Sequence, residues 1–320
     1  MGYRCLVQAA AAATAATAVL MFAPALPGNA TTRPKTGELA VPGSSASYRG
    51  RTLDNSRDRS YNQLTSINKN GLISGFYGAG GPGHPSNGYL LKRPYRQSDY
   101  IREDFPRSAQ TRVLAVNDNG VIVGTFSYTD RRSGNVWYGF WAQHGQFHKV
   151  DYRTPYRSRL NQLCGVNDSG IAVGVYLDRS GNDHAFRYNI ATGSFSLPVR
   201  GAAAFASNIN NKGAVVGYFK KAGLPWISYV TYNGGLRRFS VPRAGQTAAQ
   251  GINDHGVIVG GCTRNNKSFG FIRGSGGHLR LYVWGSAAAG MAINGINDSG
   301  DLVGWYVGSN GSVNGFLAIP

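Results

Sequence analysis

Aspartate recurs beside asparagine in this chain, at Asn117-Asp118, Asn167-Asp168, Asn253-Asp254 and Asn297-Asp298, each pair followed by one residue and a glycine. Oxygens ahead of a glycine are the raw material of a calcium loop, but such a loop needs several of them close together. Each copy here offers one Asp beside one Asn, and the copies at Asn68-Lys69 and Asn210-Asn211 have no Asp. These residues therefore read as turn formers, and no metal is expected. Acid–base chemistry is poorly supplied. The only glutamates are Glu38 and Glu103, and four of the thirteen aspartates sit in the turns. No pair of carboxylates suited to glycoside cleavage stands out. The histidines, His84, His144, His148, His184, His255 and His278, are scattered, and no His-Glu-x-x-His or Gly-x-Ser-x-Gly phrase occurs. His184 is expected to bond a neighbouring loop or to pack on aromatics. No cofactor is expected. A catalytic site assembled from distant residues remains the alternative to a non-enzymatic protein.

Binding chemistry is better represented. Tyr152-Arg153-Thr154-Pro155-Tyr156-Arg157-Ser158-Arg159 carries three arginines and two tyrosines, and Arg131 and Arg132 precede it. Farther upstream, the segment 98–112 adds Tyr100, Arg102, Phe105, Arg107 and Arg112, partly offset by Glu103 and Asp104. Arginine forks suit phosphate, sulfate or carboxylate, and tyrosine faces stack on sugars or bases. Arg131, Arg132, Tyr152, Arg153, Tyr156, Arg157, Arg159, Arg107 and Arg112 are thus the candidate ligand-binding residues. The formal charge of +18 favours anionic partners in general.

The elements that position these residues follow from a repeat. The phrase Asn-Asp-x-Gly and its variants lie between two short apolar, β-branched runs, and the lead Asn falls at 68, 117, 167, 210, 253 and 297. Asn and Asp favour tight turns and Gly supplies positive φ, so each phrase predicts a hairpin. A third strand follows in every unit, marked by Tyr89, Phe140, Phe186, Tyr229, Phe271 and Phe316. In most units a fourth is legible, as in Phe147 to Val150 and Leu236 to Phe239. Four short antiparallel strands at steps of 49, 50, 43, 43 and 44 residues describe propeller blades. The sixth unit ends at Pro320, after its third strand, while a spare strand-like piece lies at 47–54. The expected fold is all-β: a six-bladed β-propeller over 47–320, its last blade completed by the N-terminal strand. Closure of this kind removes an exposed sheet edge.

The repeated phrase together with His184-Ala185-Phe186 resembles the HAF family of extracellular repeats, over nearly all of residues 31–320. Lys69 and Asn211 depart from that family's Asp, and both fit a turn. The resemblance implies a propeller-like fold and export, and carries no agreed activity.

The N-terminus supports export independently. Arg4, an Ala-rich apolar run to Phe22, Pro24 and Pro27, and Gly28-Asn29-Ala30 read as a secretory signal over 1–30. Residues 31–46, rich in Pro, Gly and Ser, read as a flexible leader. No transmembrane anchor is expected after cleavage; a retained anchor is the alternative. Cys164 and Cys262 would then be in an oxidising compartment, either as buried thiols or as a disulfide.

In a four-stranded blade the first and third turns share one face, while the second loop and the crossover between blades share the other. The short Asn-Asp-x-Gly turns crowd one face, and the long variable segments, with the arginines and tyrosines above, crowd the opposite one. The sequence thus points to a secreted, monomeric, non-enzymatic propeller that binds an extracellular anionic polymer or glycan through its long-loop face. A protein-interaction scaffold and a channel-mouth enzyme are the alternatives. Nucleic acid is not expected as a physiological partner.

Overall fold

The computed structural model describes residues 48–320, except 82, 129–135, 153, 155–157, 200–202, 222 and 286–289. The expected signal segment 1–30 and leader 31–46 lie outside the described residues. Each Asn-x-x-Gly turn joins two short strands, because its glycine takes the positive φ that the turn requires (78° at Gly71, 75° at Gly120, 71° at Gly170). Two further strands extend each hairpin, giving six antiparallel sheets of four strands.

β1 (Arg49–Thr52) waits for the end of the chain. Blade 1 is β2 (Asn62–Ile67), β3 (Ile73–Tyr77), β4 (Asn87–Leu91) and β5 (Tyr100–Arg102). Blade 2 is β6 (Gln110–Val116), β7 (Ile122–Ser127), β8 (Trp137–Gln143) and β9 (Gln146–Val150). Blade 3 is β10 (Asn161–Val166), β11 (Ile171–Leu177), β12 (Asp183–Asn189) and β13 (Phe195–Ser196). Blade 4 is β14 (Ala204–Ile209), β15 (Val215–Phe219), β16 (Ile227–Tyr232) and β17 (Gly235–Phe239). Blade 5 is β18 (Gln246–Ile252), β19 (Ile258–Arg264), β20 (Lys267–Arg273) and β21 (Leu279–Tyr282). Blade 6 is β22 (Gly290–Ile296), β23 (Leu302–Val307) and β24 (Val313–Ile319), with β1 as its outer strand. Arg49 pairs with Ile319 and Thr52 with Phe316, so the two ends of the propeller close one blade as the spare strand implied. The fold is the six-bladed propeller read from the sequence.

The second glycine of the repeat has a different purpose from the first. In every blade the inner strand carries a bulge, between Leu64 and Ser66 in blade 1 and between Ala206 and Asn208 in blade 4, for example. The glycine opposite it faces an inner-strand carbonyl at very short range. A methyl added at Gly75, Gly124, Gly174, Gly217, Gly260 or Gly304 would sit between 1.9 and 2.5 Å from that oxygen. The third-strand aromatic is the cross-strand partner of this same glycine: Tyr89 of Gly75, Phe140 of Gly124, Phe186 of Gly174, Tyr229 of Gly217. The ring covers the gap the missing side chain leaves. The two sequence marks of the repeat, 11 to 16 positions apart, are therefore one packing unit.

Apolar side chains fill the spaces between neighbouring blades. Leu64 and Tyr89 of blade 1 pack with Val303 and Leu317 of blade 6, and equivalent clusters fill the other spaces. A central cluster joins all six blades around the axis, with Tyr61, Leu114, Cys164, Phe205, Ala248 and Trp305 among its members. Cys164 and Cys262 are both buried free thiols in separate clusters, so no disulfide links them. Burial pushes their thiols up, to about 12 at Cys164 and about 11 at Cys262, which leaves them inert packing groups. Among the described residues no helix is long and apolar enough to cross a membrane.

Candidate functional site at the channel mouths

At the short-turn face the six lead asparagines form a closed ring of hydrogen bonds around the channel. The Asn68 side-chain amide donates to the carbonyl of Asn117 at 3.0 Å, Asn117 to Asn167 at 2.9 Å, and Asn167 to Asn210 at 3.2 Å. Asn210 donates to Asn253 at 3.0 Å, Asn253 to Asn297 at 3.0 Å, and Asn297 back to Asn68 at 3.3 Å. The amide oxygen is used as well, since it accepts the backbone N–H four residues on in each turn; Asn117 Oδ1 takes Val121 N–H at 2.8 Å. Each asparagine thus pins its own turn with its oxygen and grips the next blade with its nitrogen. All six are buried. Aspartate, lacking the N–H₂ donor, could not do both.

A second ring lies one residue outward and is open. Asp118 Oδ1 accepts Lys69 N–H at 2.9 Å, Asp168 accepts Asp118 N–H at 2.9 Å, and Asn211 accepts Asp168 N–H at 2.8 Å. Asp254 and Asp298 continue it at 2.8 Å each. The circle breaks at Lys69, which has no acceptor to offer Asp298. Lys69 instead places its ammonium 3.2 Å from Asp118. Asn211 donates to Asp168 and Asp254 at 2.8 and 3.0 Å, separating two like charges with an amide. Burial lifts the Asp168 carboxyl above its usual range, and the neighbouring Asp118 charge adds to the lift. These residues rim a mouth of about 80 Å³. The turn reading of the repeated Asp is right about location and incomplete about bonding, because the acceptors serve the preceding blade. Among the described residues no group of acids, histidines and cysteines is arranged to hold a metal.

The opposite face carries the second loops and the crossovers, and with them the expected ligand residues. Arg107 and Arg159 are exposed there, on the crossovers into blades 2 and 3. Arg131, Arg132, Arg153, Tyr156 and Arg157 lie outside the described residues. Arg112 and Tyr152 are the more enclosed of the expected residues. Arg112 belongs to β6 and is 3 % exposed. Its guanidinium lies 5.0 Å from the rings of both Phe76 and Trp137, and its Nε donates to Ser86 Oγ at 3.1 Å. Desolvation pulls its pKa below the usual arginine value. Tyr152 is half-buried, stacked on Tyr176 at 4.2 Å and edge-on to Phe195 at 5.1 Å. Its ring packs against blade 3. Both residues sit at strand or core boundaries, where a charged or amphipathic side chain looks like loop in sequence.

His184 behaves as read: its Nε2 lies 3.0 Å from Asp178 and its ring stacks on Tyr176 at 5.1 Å. Asp178 is held well below the usual carboxylate range, foremost by that histidine. Other carboxylates of this face are similarly engaged. Asp58 accepts from Ser60 and His84, and Asp104 accepts the Gly88 N–H at 2.8 Å and pairs with Arg102. The bases have less to do. Arg57, Arg107, Arg159, Lys221 and Arg243 are all exposed on this face.

No family model matches the chain, and no curated protein matches it. Solved structures of the same architecture do. A TolB candidate from Agrobacterium tumefaciens aligns with a TM-score of 0.51 at 10 % identity, over 81 % of this chain and 90 % of that one. Trypanosoma rangeli sialidase, in complex with the inhibitor DANA, gives 0.50 at 9 % identity, over 80 % of this chain and 54 % of that one. A streptogramin B lyase gives 0.45 at 12 % identity, over 84 % and 87 %. Identities this low speak to the propeller fold alone.

Proposed function

We propose that the chain is an exported, non-catalytic propeller of the HAF type that binds an extracellular anionic polymer through its long-loop face. The observation carrying this reading is the unequal use of charge on that face. Asp58, Asp104 and Asp178 are consumed by internal hydrogen bonds, while Arg57, Arg107, Arg159, Lys221 and Arg243 project to solvent from several blades. A field of this shape attracts a long anion along many weak contacts, which is how avidity arises without one deep pocket. The Ala-rich N-terminal run and the repeat phrase support export.

The test is binding of the secreted chain to pectate-like polyuronate, sulfated glycan and neutral glycan at low and high salt. The triple variant Arg107→Ala, Arg159→Ala, Arg243→Ala should fold normally and bind polyanion about tenfold more weakly, with a shallower salt dependence. A folded triple variant with unchanged affinity and salt slope removes the long-loop face from this role.

A further inference from the structure

The space between blades 4 and 5 on the short-turn face is not closed like its neighbour. Between blades 3 and 4, Arg187 reaches across and donates to the carbonyl of Gly213 at 3.0 Å. The residue at the same register in blade 4 is Val230, which is buried in the apolar cluster shared with blade 5 and has no group to donate to the Gly256 turn. A cavity of about 470 Å³ stands where that bridge is missing. Lys212, Arg237 and Arg273 line it, together with Tyr232, His255 and Ser275.

Charge and shape in this cavity point one way. Among the described residues Asp254 is the one carboxylate lining it, and both of its oxygens are already bonded to Asn211, at 2.8 and 3.0 Å. His255 lies 3.7 Å from Asp298 at the adjoining ring. Arg273 is braced against the Phe239 ring at 4.8 Å, so one of the three cations is held in place before any ligand arrives. Tyr232 is 37 % exposed, leaving ring surface available at the rim. The volume is in the range of sites that enclose a small ligand, on the order of 300–1,000 Å³. Cations with an aromatic plate and hydroxyl and imidazole hydrogen-bonders match a sugar ring that bears an oxyanion.

We infer that the cleft between blades 4 and 5 is a binding site for an acidic saccharide unit, its carboxylate or sulfate held by Lys212, Arg237 and Arg273 and its ring lying against Tyr232. The site faces away from the long loops. A propeller with an anion-binding face on each side would join two polymer strands, and the two sites can fail separately.

Calorimetric titration of the folded chain with a galacturonate trisaccharide, a sulfated disaccharide, a neutral trisaccharide and inorganic sulfate tests the assignment. Binding of an acidic saccharide, and none of the neutral one, is expected. Whichever of the first two binds more tightly identifies the oxyanion. The variants Arg237→Ala and Lys212→Ala should each weaken that binding at least tenfold with unchanged melting temperature. Tyr232→Ala should weaken the saccharide and leave inorganic sulfate as it was. The triple long-loop variant above should bind the short saccharide as the parent does. Unchanged saccharide affinity in folded Arg237→Ala and Lys212→Ala variants would overturn the site. Equal affinity for inorganic sulfate and saccharide, both indifferent to Tyr232→Ala, would overturn its assignment to a sugar.

Discussion

The two mouths of the channel are built from the same six repeats and share almost no chemistry. At the short-turn mouth six asparagines make the same two interactions six times, and the links run from 2.9 to 3.3 Å. At the long-loop mouth the described side chains differ from blade to blade: Arg112 lies between two aromatic rings in one, while Asp178 and His184 pair in another. The difference teaches where repetition is enforced. A bond that each blade must make to its successor constrains every copy, whereas a loop that contacts only its own blade or a ligand is free to diverge. Even within the enforced ring the two weakest points coincide. The longest asparagine link and the break at Lys69 both fall between blades 6 and 1, where β1 and its pairing with β24 supply the closure instead.

The largest effect should come from breaking the inner ring. Asn167→Ala removes the donor to Asn210 and the acceptor for the Ile171 N–H, both in a buried setting, and strands polar backbone groups on two blades. The cost should be about 2–4 kcal/mol. Asp168→Ala, one residue outward and more exposed, should cost about 1 kcal/mol at most. Denaturant unfolding of the two variants compares the rings directly. Equal losses would mean that the inner asparagines are no more than turn formers.

That distinction marks the limit of what the sequence discloses. The phrase locates each turn, the steps between phrases set the blade count, and the strand at 47–54 announces the closure, because all of these follow from local pattern and chain length. The Asn and Asp partners lie 43 to 50 residues away, and 229 at the closing link, so a local reading assigns their oxygens and nitrogens to their own turn. The same limit explains Arg112. Its position at a strand start is visible, but Phe76 and Trp137, which enclose it, come from β3 and β8. The cleft between blades 4 and 5 is less legible still, since it lies where Val230 offers no counterpart to the Arg187 bridge between blades 3 and 4. Only an alignment of strands, which needs the bulges, shows that correspondence.

A smaller effect sharpens the contrast between the carboxylates of the two faces. Asp54 sits just past β1, accepts the Gly315 N–H at 2.9 Å, and is pushed up to about 6, chiefly by burial. A carboxyl whose folded pKa is raised binds its proton more tightly in the folded state. The associated stability is therefore present at acidic pH and is lost as pH rises from the unfolded value near 4 through about 6. Asp54→Asn keeps an acceptor for Gly315 and carries no charge. It should match the parent at pH 4 and exceed it at pH 8 by about 1 kcal/mol, after allowance for solvent screening. Chemical denaturation at the two pH values reads this out, and a parallel shift at both would place the cause elsewhere than in Asp54 ionisation.

The smallest effect tests whether the outer ring is a ring at all. Lys69→Asn would supply the side-chain oxygen missing at the one open step, opposite the Asp298 N–H, and would bring the first repeat into line with Asn211 in the fourth. Asparagine is the better choice than aspartate because a fifth carboxylate would face Asp118 and Asp298. The substitution gives up the Lys69–Asp118 pair at 3.2 Å, whose lysine end is exposed and contributes little. A gain of ~1–2 °C in melting temperature is expected, in proportion to one added hydrogen bond in a chain of this size. A fall instead would mean that the ammonium of Lys69 is needed to hold four like charges around the mouth, and that the outer circle is open because its electrostatics require a cation at that step.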